Sequence, residues 1–132
     1  MRYMLDTNIC SHILKNHPAT VRTHFNKVGS DALSISTIVL AELYYGAARH
    51  PKSVAIRKEI DNFTSRLALI AWDEAAAEHY GLIRSFLEKQ GRPIGAMDMM
   101  IAAHARSLKA TLVSNNAKHF EKIPGLLIAN WV

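Results

Sequence analysis

Arg2-Tyr3-Met4-Leu5-Asp6-Thr7-Asn8 decides how the chain must fold. Its alternating first half reads as a strand over about 2–6, and Asn8, a good N-cap, is expected to open a helix directly afterwards. Strands and helices then follow one another outward from this unit. Pro18 suits the first turn of the next helix, and a second strand is expected near 32–36. Ser36 or Thr37 can cap a helix through Tyr45, and a longer helical region from Pro51 to about Arg66 carries Ile56, Ile60 and Phe63 on one face. Leu67 to Trp72 reads as a third strand. Asp73 caps a helix bearing Ala76, Tyr80, Ile83 and Leu87 that closes at Gly91, and another helix spans about 97–109. Thr111–Ser114 and Leu126–Ala129 supply the last strands, with a brief helical turn at about 117–121 between them. Strands separated by helices predict an α/β fold of three layers, a mainly parallel central sheet flanked by helices. In such sheets ligands gather beyond the carboxyl ends of the strands.

The 132 residues fit one domain spanning 1–132, and 49% apolar with 20% charged residues is the balance of a chain that buries a core. No apolar run approaches the roughly 20 residues that cross a bilayer. The single cysteine, Cys10, can form neither an internal disulfide nor a cysteine zinc cluster, so a cytoplasmic location is expected. A net charge of +5 favours an anionic partner, but the sixteen basic residues form no dense cluster and equally suit a solvated basic surface.

The acids are more telling. Most of the eleven lie among polar neighbours or at helix starts, but three do not. Asp6 ends Tyr3-Met4-Leu5, Glu42 sits between Val39-Leu40-Ala41 and Leu43-Tyr44-Tyr45, and Asp98 stands inside Ala96-Met97-Asp98-Met99-Met100-Ile101. A buried ionised carboxylate is costly unless a cation, donors or a proton compensates it. Each acid also has an ordinary reading: Asp6 as a helix cap, Asp98 in a first turn favoured by the peptide dipole, Glu42 pointing outward. Together they point to one cation, because Asp6 at a strand end and Asp98 at a helix start both face the ligand-binding edge, and Glu42 could reach it. Three hard oxygen donors without His or Cys select Mg2+, or Mn2+, over zinc.

Met4-Leu5-Asp6-Thr7-Asn8, Leu40-Ala41-Glu42-Leu43 with Gly46, Ile94-Gly95-Ala96-Met97-Asp98-Met99-Met100-Ile101-Ala102 and Leu112-Val113-Ser114-Asn115-Asn116 occur in the order of the PIN-domain pattern. The resemblance covers the whole chain and is strongest to the VapC toxins of bacterial toxin–antitoxin pairs. It implies a magnesium-dependent endoribonuclease toxin that cuts structured cellular RNA, tRNA or rRNA, and so inhibits translation. It further implies a homodimer and a cognate VapB antitoxin, with Asp6, Glu42 and Asp98 matching the metal-binding acids. An antitoxin-independent PIN nuclease for RNA or DNA, and a non-catalytic nucleic-acid-binding module, remain alternatives.

The chain departs from the pattern at one place. Many relatives carry a fourth acid near the end of the strand Thr111–Ser114, where this sequence offers Asn115, Asn116 and then His119. Ser114-Asn115-Asn116 reads either as a turn with helix capping or as support for metal-bound water, with Asn116 as the auxiliary catalytic residue. Asn8, Arg92, Ser114 and Asn115 are the expected substrate contacts, Arg92 because it precedes the Asp98 segment. Asp98 is the acid marginally favoured to accept a water proton. The seven histidines occur singly, with no His-x-x-x-His pair, which favours surface or structural roles. A Gly-x-x-x-x-Gly-Lys loop and a Gly-x-Ser-x-Gly elbow are both missing, so nucleotide-driven and acyl-transfer chemistry are improbable.

Overall fold

The computed structural model describes residues 2–15 and 19–132. Among these residues five short strands, β1 (Tyr3–Leu5), β2 (Leu33–Ser36), β3 (Ala68–Ile70), β4 (Thr111–Val113) and β5 (Leu127–Ala129), form one sheet in the order β3-β2-β1-β4-β5. All four neighbouring pairs are parallel. The helices are α1 (Thr7–Leu14), α2 (Ala19–Val28), α3 (Thr37–Ala48), α4 (Ser53–Thr64), α5 (Glu74–Lys89), α6 (Ala96–Ser107) and the single turn α7 (Ala117–Phe120). The expected α/β architecture with a parallel sheet is therefore present. No helix among the described residues is long and apolar enough to cross a membrane.

Burial explains the strand order. Met4, Leu5, Leu33, Ile35, Leu112 and Val113 on the three inner strands are at most 1% exposed, as required of strands covered on both faces. Each such side chain contributes about 1.5–3 kcal/mol. The outer strands β3 and β5 are three residues long and partly exposed, which leaves little free edge for mispairing. Ser34, polar yet fully buried in β2, donates from Oγ to the Tyr3 carbonyl at 2.9 Å and so leaves no orphaned hydroxyl. Ala102, Ala103 and Ala105 on α6 are fully buried, and these small side chains let α6 lie close to its neighbours.

Caps set the helix starts at the functional edge. Ser36 Oγ accepts from the Ile38 amide at 3.1 Å and Asp73 Oδ1 from the Ala76 amide at 3.1 Å, as expected for these residues. Gly91 takes the left-handed conformation (φ 66°) just beyond α5, which closes that helix where expected. The cap of α1 requires a correction. It is Asp6, whose Oδ1 accepts from the Ile9 amide at 2.9 Å, and Asn8 is an exposed residue within the first turn. The Asp6 amide donates to the Val113 carbonyl at 3.1 Å, which holds residue 6 extended beside β4 and moves the helix start two residues forward. The expectation for Pro18 lies outside the described residues.

Candidate active site

Asp6 stands at the carboxyl end of β1, the middle strand of the sheet, between the ends of β2 and β4. The chain turns to opposite sides of β1 for β2 and for β4, so this is the switch point at which parallel sheets open a crevice. Asp6 is 6% exposed. Its carboxyl is pushed above the usual 3.8, first by burial and further by the negative charge of Asp98. The Ser114 hydroxyl, the Ile9 amide and, more weakly, His12 pull it back. Asp6 is thus both the cap its position allowed and a carboxylate held at a cost in ionised form.

Helices α1 and α3 follow their strands directly, so their first turns lie over this carboxyl edge, and α6, which runs back to feed β4, starts there too. Thr7, next to Asp6, donates from Oγ1 to Glu42 Oε1 at 2.6 Å and so links α1 to α3. Asp98, half-buried in the first turn of α6, sits where peptide dipoles favour an anion. Trp72 fixes α6 against the rest of the edge: its indole Nε1 donates to the Met100 carbonyl at 2.9 Å and its amide to Thr37 Oγ1 at 3.2 Å. Asp98 lies within electrostatic reach of Asp6, whose pKa it helps to raise, while Glu42 is engaged by Thr7, the residue beside Asp6. Among the described residues no three His, Cys, Asp or Glu side chains converge in a ready-made metal group.

On the β4 side, Ser114 is fully buried and its Oγ accepts from the Asn116 amide at 2.9 Å. Asn116 stands at the N-cap position of α7 but its side chain makes no capping bond. Its Nδ2 instead lies 2.8 Å from His119 Nδ1, and that ring nitrogen is 3.9 Å from Asp98 Oδ2. The side-chain-capping form of the turn reading is thereby corrected, since the Asn116 side-chain oxygen accepts no amide of α7. Asn8, Arg92 and Asn115 are exposed, and among the described residues the Arg92 side chain has no hydrogen-bond partner. The structure therefore brings Ser114 and Asn116 to the acids but leaves Arg92 as a free cation on the preceding loop.

Two residues at the site were not among the expected ones. Thr7 lies inside the quoted Asp6-Thr7-Asn8 signature, but its partner is 35 positions away. His119 is one of the seven single histidines that suit surface or structural roles, although its spacing of three from Asn116 places both on one side of a turn. An open recess of about 330 Å³ adjoins this edge, lined by Thr7, Glu42, Tyr45, Arg49 and Met97 among others. The Arg49 guanidinium stacks 5.5 Å from the centre of the exposed Tyr45 ring. A flat ring and a cation beside an acidic edge suit a base and its phosphate.

A parallel sheet with the buried Asp6 carboxyl at its switch point defines the class, and the PIN domain family model matches residues 3–126. The chain is 44% identical to the tRNA(fMet)-specific endonuclease VapC of Shigella flexneri over 99% of its own length and 98% of that protein. The crystal structure of VapBC2 from Rickettsia felis bound to a promoter DNA fragment superposes with a TM-score of 0.94, at 40% identity, covering 100% of both chains. DNA-bound VapBC from Salmonella typhimurium also gives 0.94, at 41% identity over 100% of this chain and 99% of that one. The chain belongs to the VapC family of PIN-domain ribonuclease toxins.

Proposed function

We propose that the segment 1–132 acts as one PIN domain, a divalent-cation-dependent endoribonuclease that cuts structured RNA, transfer RNA first, and so stops translation. The observation that carries this reading is the buried Asp6 carboxyl raised by its own burial and by Asp98, at the carboxyl edge of the central strand. Such a pair is stabilised by a cation, and the donors are all carboxylate, hydroxyl or amide oxygens, which suit magnesium or manganese. Cys10 is buried, with its thiol pushed well up by burial, and is no competing soft ligand.

Asp6, Glu42 and Asp98 would hold the ion. When bound there, a hard divalent cation supplies an acidified water and offsets charge developing on the phosphodiester. The protein's own contributions are positional. Thr7 fixes the Glu42 carboxylate, Ser114 donates to Asp6, and Asp98 stands in the first turn of α6, placed to take up the proton of the attacking water. Arg49 and Tyr45 in the adjoining recess, and Asn8, Arg92 and Asn115 on the rim, would meet the RNA. The name of the Shigella relative supports tRNA(fMet) as the first substrate to try.

The VapBC complexes among the structural relatives support a VapB-type antitoxin as partner. Such a partner would cover the acids when bound. Exposed Leu82 and Phe86, one turn apart on α5, support a homodimer. The test is purified protein incubated with total RNA and with tRNA(fMet), in magnesium and in EDTA. Discrete fragments in magnesium alone are expected. Intact RNA under both conditions would overturn the reading.

A further inference from the structure

We propose that His119 is a substrate-contacting residue of this site, donating from Nε2–H to a phosphate oxygen of the RNA, with its ring set by Asn116. The inference rests on the ribonuclease reading and adds a residue and a role to it. Three of the helix starts at or near the site show what a cap residue normally does here: Asp6, Ser36 and Asp73 each accept a backbone amide of their own helix. Asn116 occupies the same position before α7 and does not. Its Nδ2 goes to His119 Nδ1 at 2.8 Å.

With the Asn116 amide turned so that Nδ2 faces the ring, one tautomer fits. An amide nitrogen only donates, so Nδ1 accepts, and the neutral imidazole carries its hydrogen on Nε2. Nδ1 is also the atom 3.9 Å from Asp98 Oδ2. With its lone pair committed to Asn116, it gives Asp98 no hydrogen, so the ring is not simply a partner that holds the acid. His119 is half-exposed, and its free donor has no partner among the described residues.

Arg49, Arg92, Asn8 and Asn115 offer donors from the recess and the rim, whereas the three acids offer none of their own. Asp6, Glu42 and Asp98 offer only acceptors once ionised, and a phosphodiester offers only acceptors as well. A neutral donor beside Asp98 can orient a phosphate oxygen without adding a charge that competes for the carboxylates. Asn116 then acts through His119 as a positioning residue, in the manner by which a hydrogen bond on one ring nitrogen sets the other.

The experiment compares His119→Ala, His119→Gln, Asn116→Ala and the double alanine variant in the full chain. Fluorescein-labelled tRNA(fMet) binding is read in calcium, cleavage in magnesium, magnesium affinity by calorimetry, and the His119 tautomer by 15N NMR. His119→Ala should weaken RNA binding by about tenfold or more, the worth of one hydrogen bond to a charged group, while magnesium affinity stays unchanged. His119→Gln, which keeps an N–H donor, should recover part of the loss. Asn116→Ala should mix the tautomers, and the double variant should bind no worse than His119→Ala, because both act through one contact. Unchanged binding in His119→Ala, or a double variant that loses the product of the single losses, overturns the inference. A chain that binds RNA through His119 but never cleaves it would instead contradict the ribonuclease reading alone.

Discussion

The Thr7 hydroxyl donates to Glu42 Oε1 at 2.6 Å, so the residue that follows Asp6 holds the carboxylate of a helix 35 positions away. Two of the three acids are thereby tied through one short side chain. Thr7→Val keeps the shape and removes the donor. It should cost about 1 kcal/mol of stability and lower cleavage roughly tenfold, since Glu42 loses its fixed orientation. Thr7→Ser should keep most of the activity, and urea titration alongside initial rates separates the two effects.

Asp6 should make the metal-free protein less stable than its core implies. Its folded-state pKa lies above the ordinary 3.8, so protonated Asp6 favours the fold at low pH, and that contribution is lost as pH rises through the folded value. At neutral pH the ionised group is a cost unless a cation offsets it. Asp6→Asn keeps an oxygen for the α1 cap and removes the charge. In EDTA we expect its Tm to rise; a gain on the order of 1 kcal/mol corresponds to about 4 °C for a chain of this size. In magnesium the order should reverse, which calorimetric scans would show.

His104 gives the opposite sign. It is fully buried in α6, both ring nitrogens lack partners among the described residues, and burial holds its pKa below 6.5 against a weaker upward pull from Asp73. As pH falls below about 6.5 the unfolded chain takes up a proton that the folded chain refuses, so stability present above that pH is lost toward the lower folded value. His104→Leu should flatten the fall in Tm between pH 7.5 and pH 5. If unmodified protein and variant lose stability in parallel, His104 carries none of the dependence.

Arg49 is predicted to contribute one phosphate contact. Arg49→Ala should weaken tRNA binding and reduce the slope of log affinity against log salt by about 1, without altering magnesium affinity. An unchanged slope would place the RNA elsewhere than the recess beside Tyr45.

Much of this architecture was legible in the chain because local signals agreed with the tertiary structure. Ser36 and Asp73 cap where their side chains suggest, Gly91 closes α5, and the parallel sheet follows from alternating strands and helices. The misplaced cap at Asn8 shows where local reading fails. Asp6, Thr7 and Asn8 can all accept a backbone amide, and the choice was made by the bond from the Asp6 amide to Val113, more than a hundred residues away. The acids stood out because apolar neighbours make a carboxylate conspicuous. Thr7 and His119 did not, because a threonine or histidine near a helix start is ordinary, and their importance lies in partners on other elements: Glu42 on α3 and, for His119, Asp98 on α6.

The central claim is that Asp6, Glu42 and Asp98 share one cation, and the most direct measurement is magnesium titration calorimetry on the unmodified chain, Asp6→Asn, Glu42→Gln and Asp98→Asn. Binding in the unmodified protein and its loss, by at least tenfold, in each of the three variants is the predicted result. Glu42→Gln binding magnesium with unmodified affinity would contradict the account, because the carboxylate held by Thr7 would then lie outside the site.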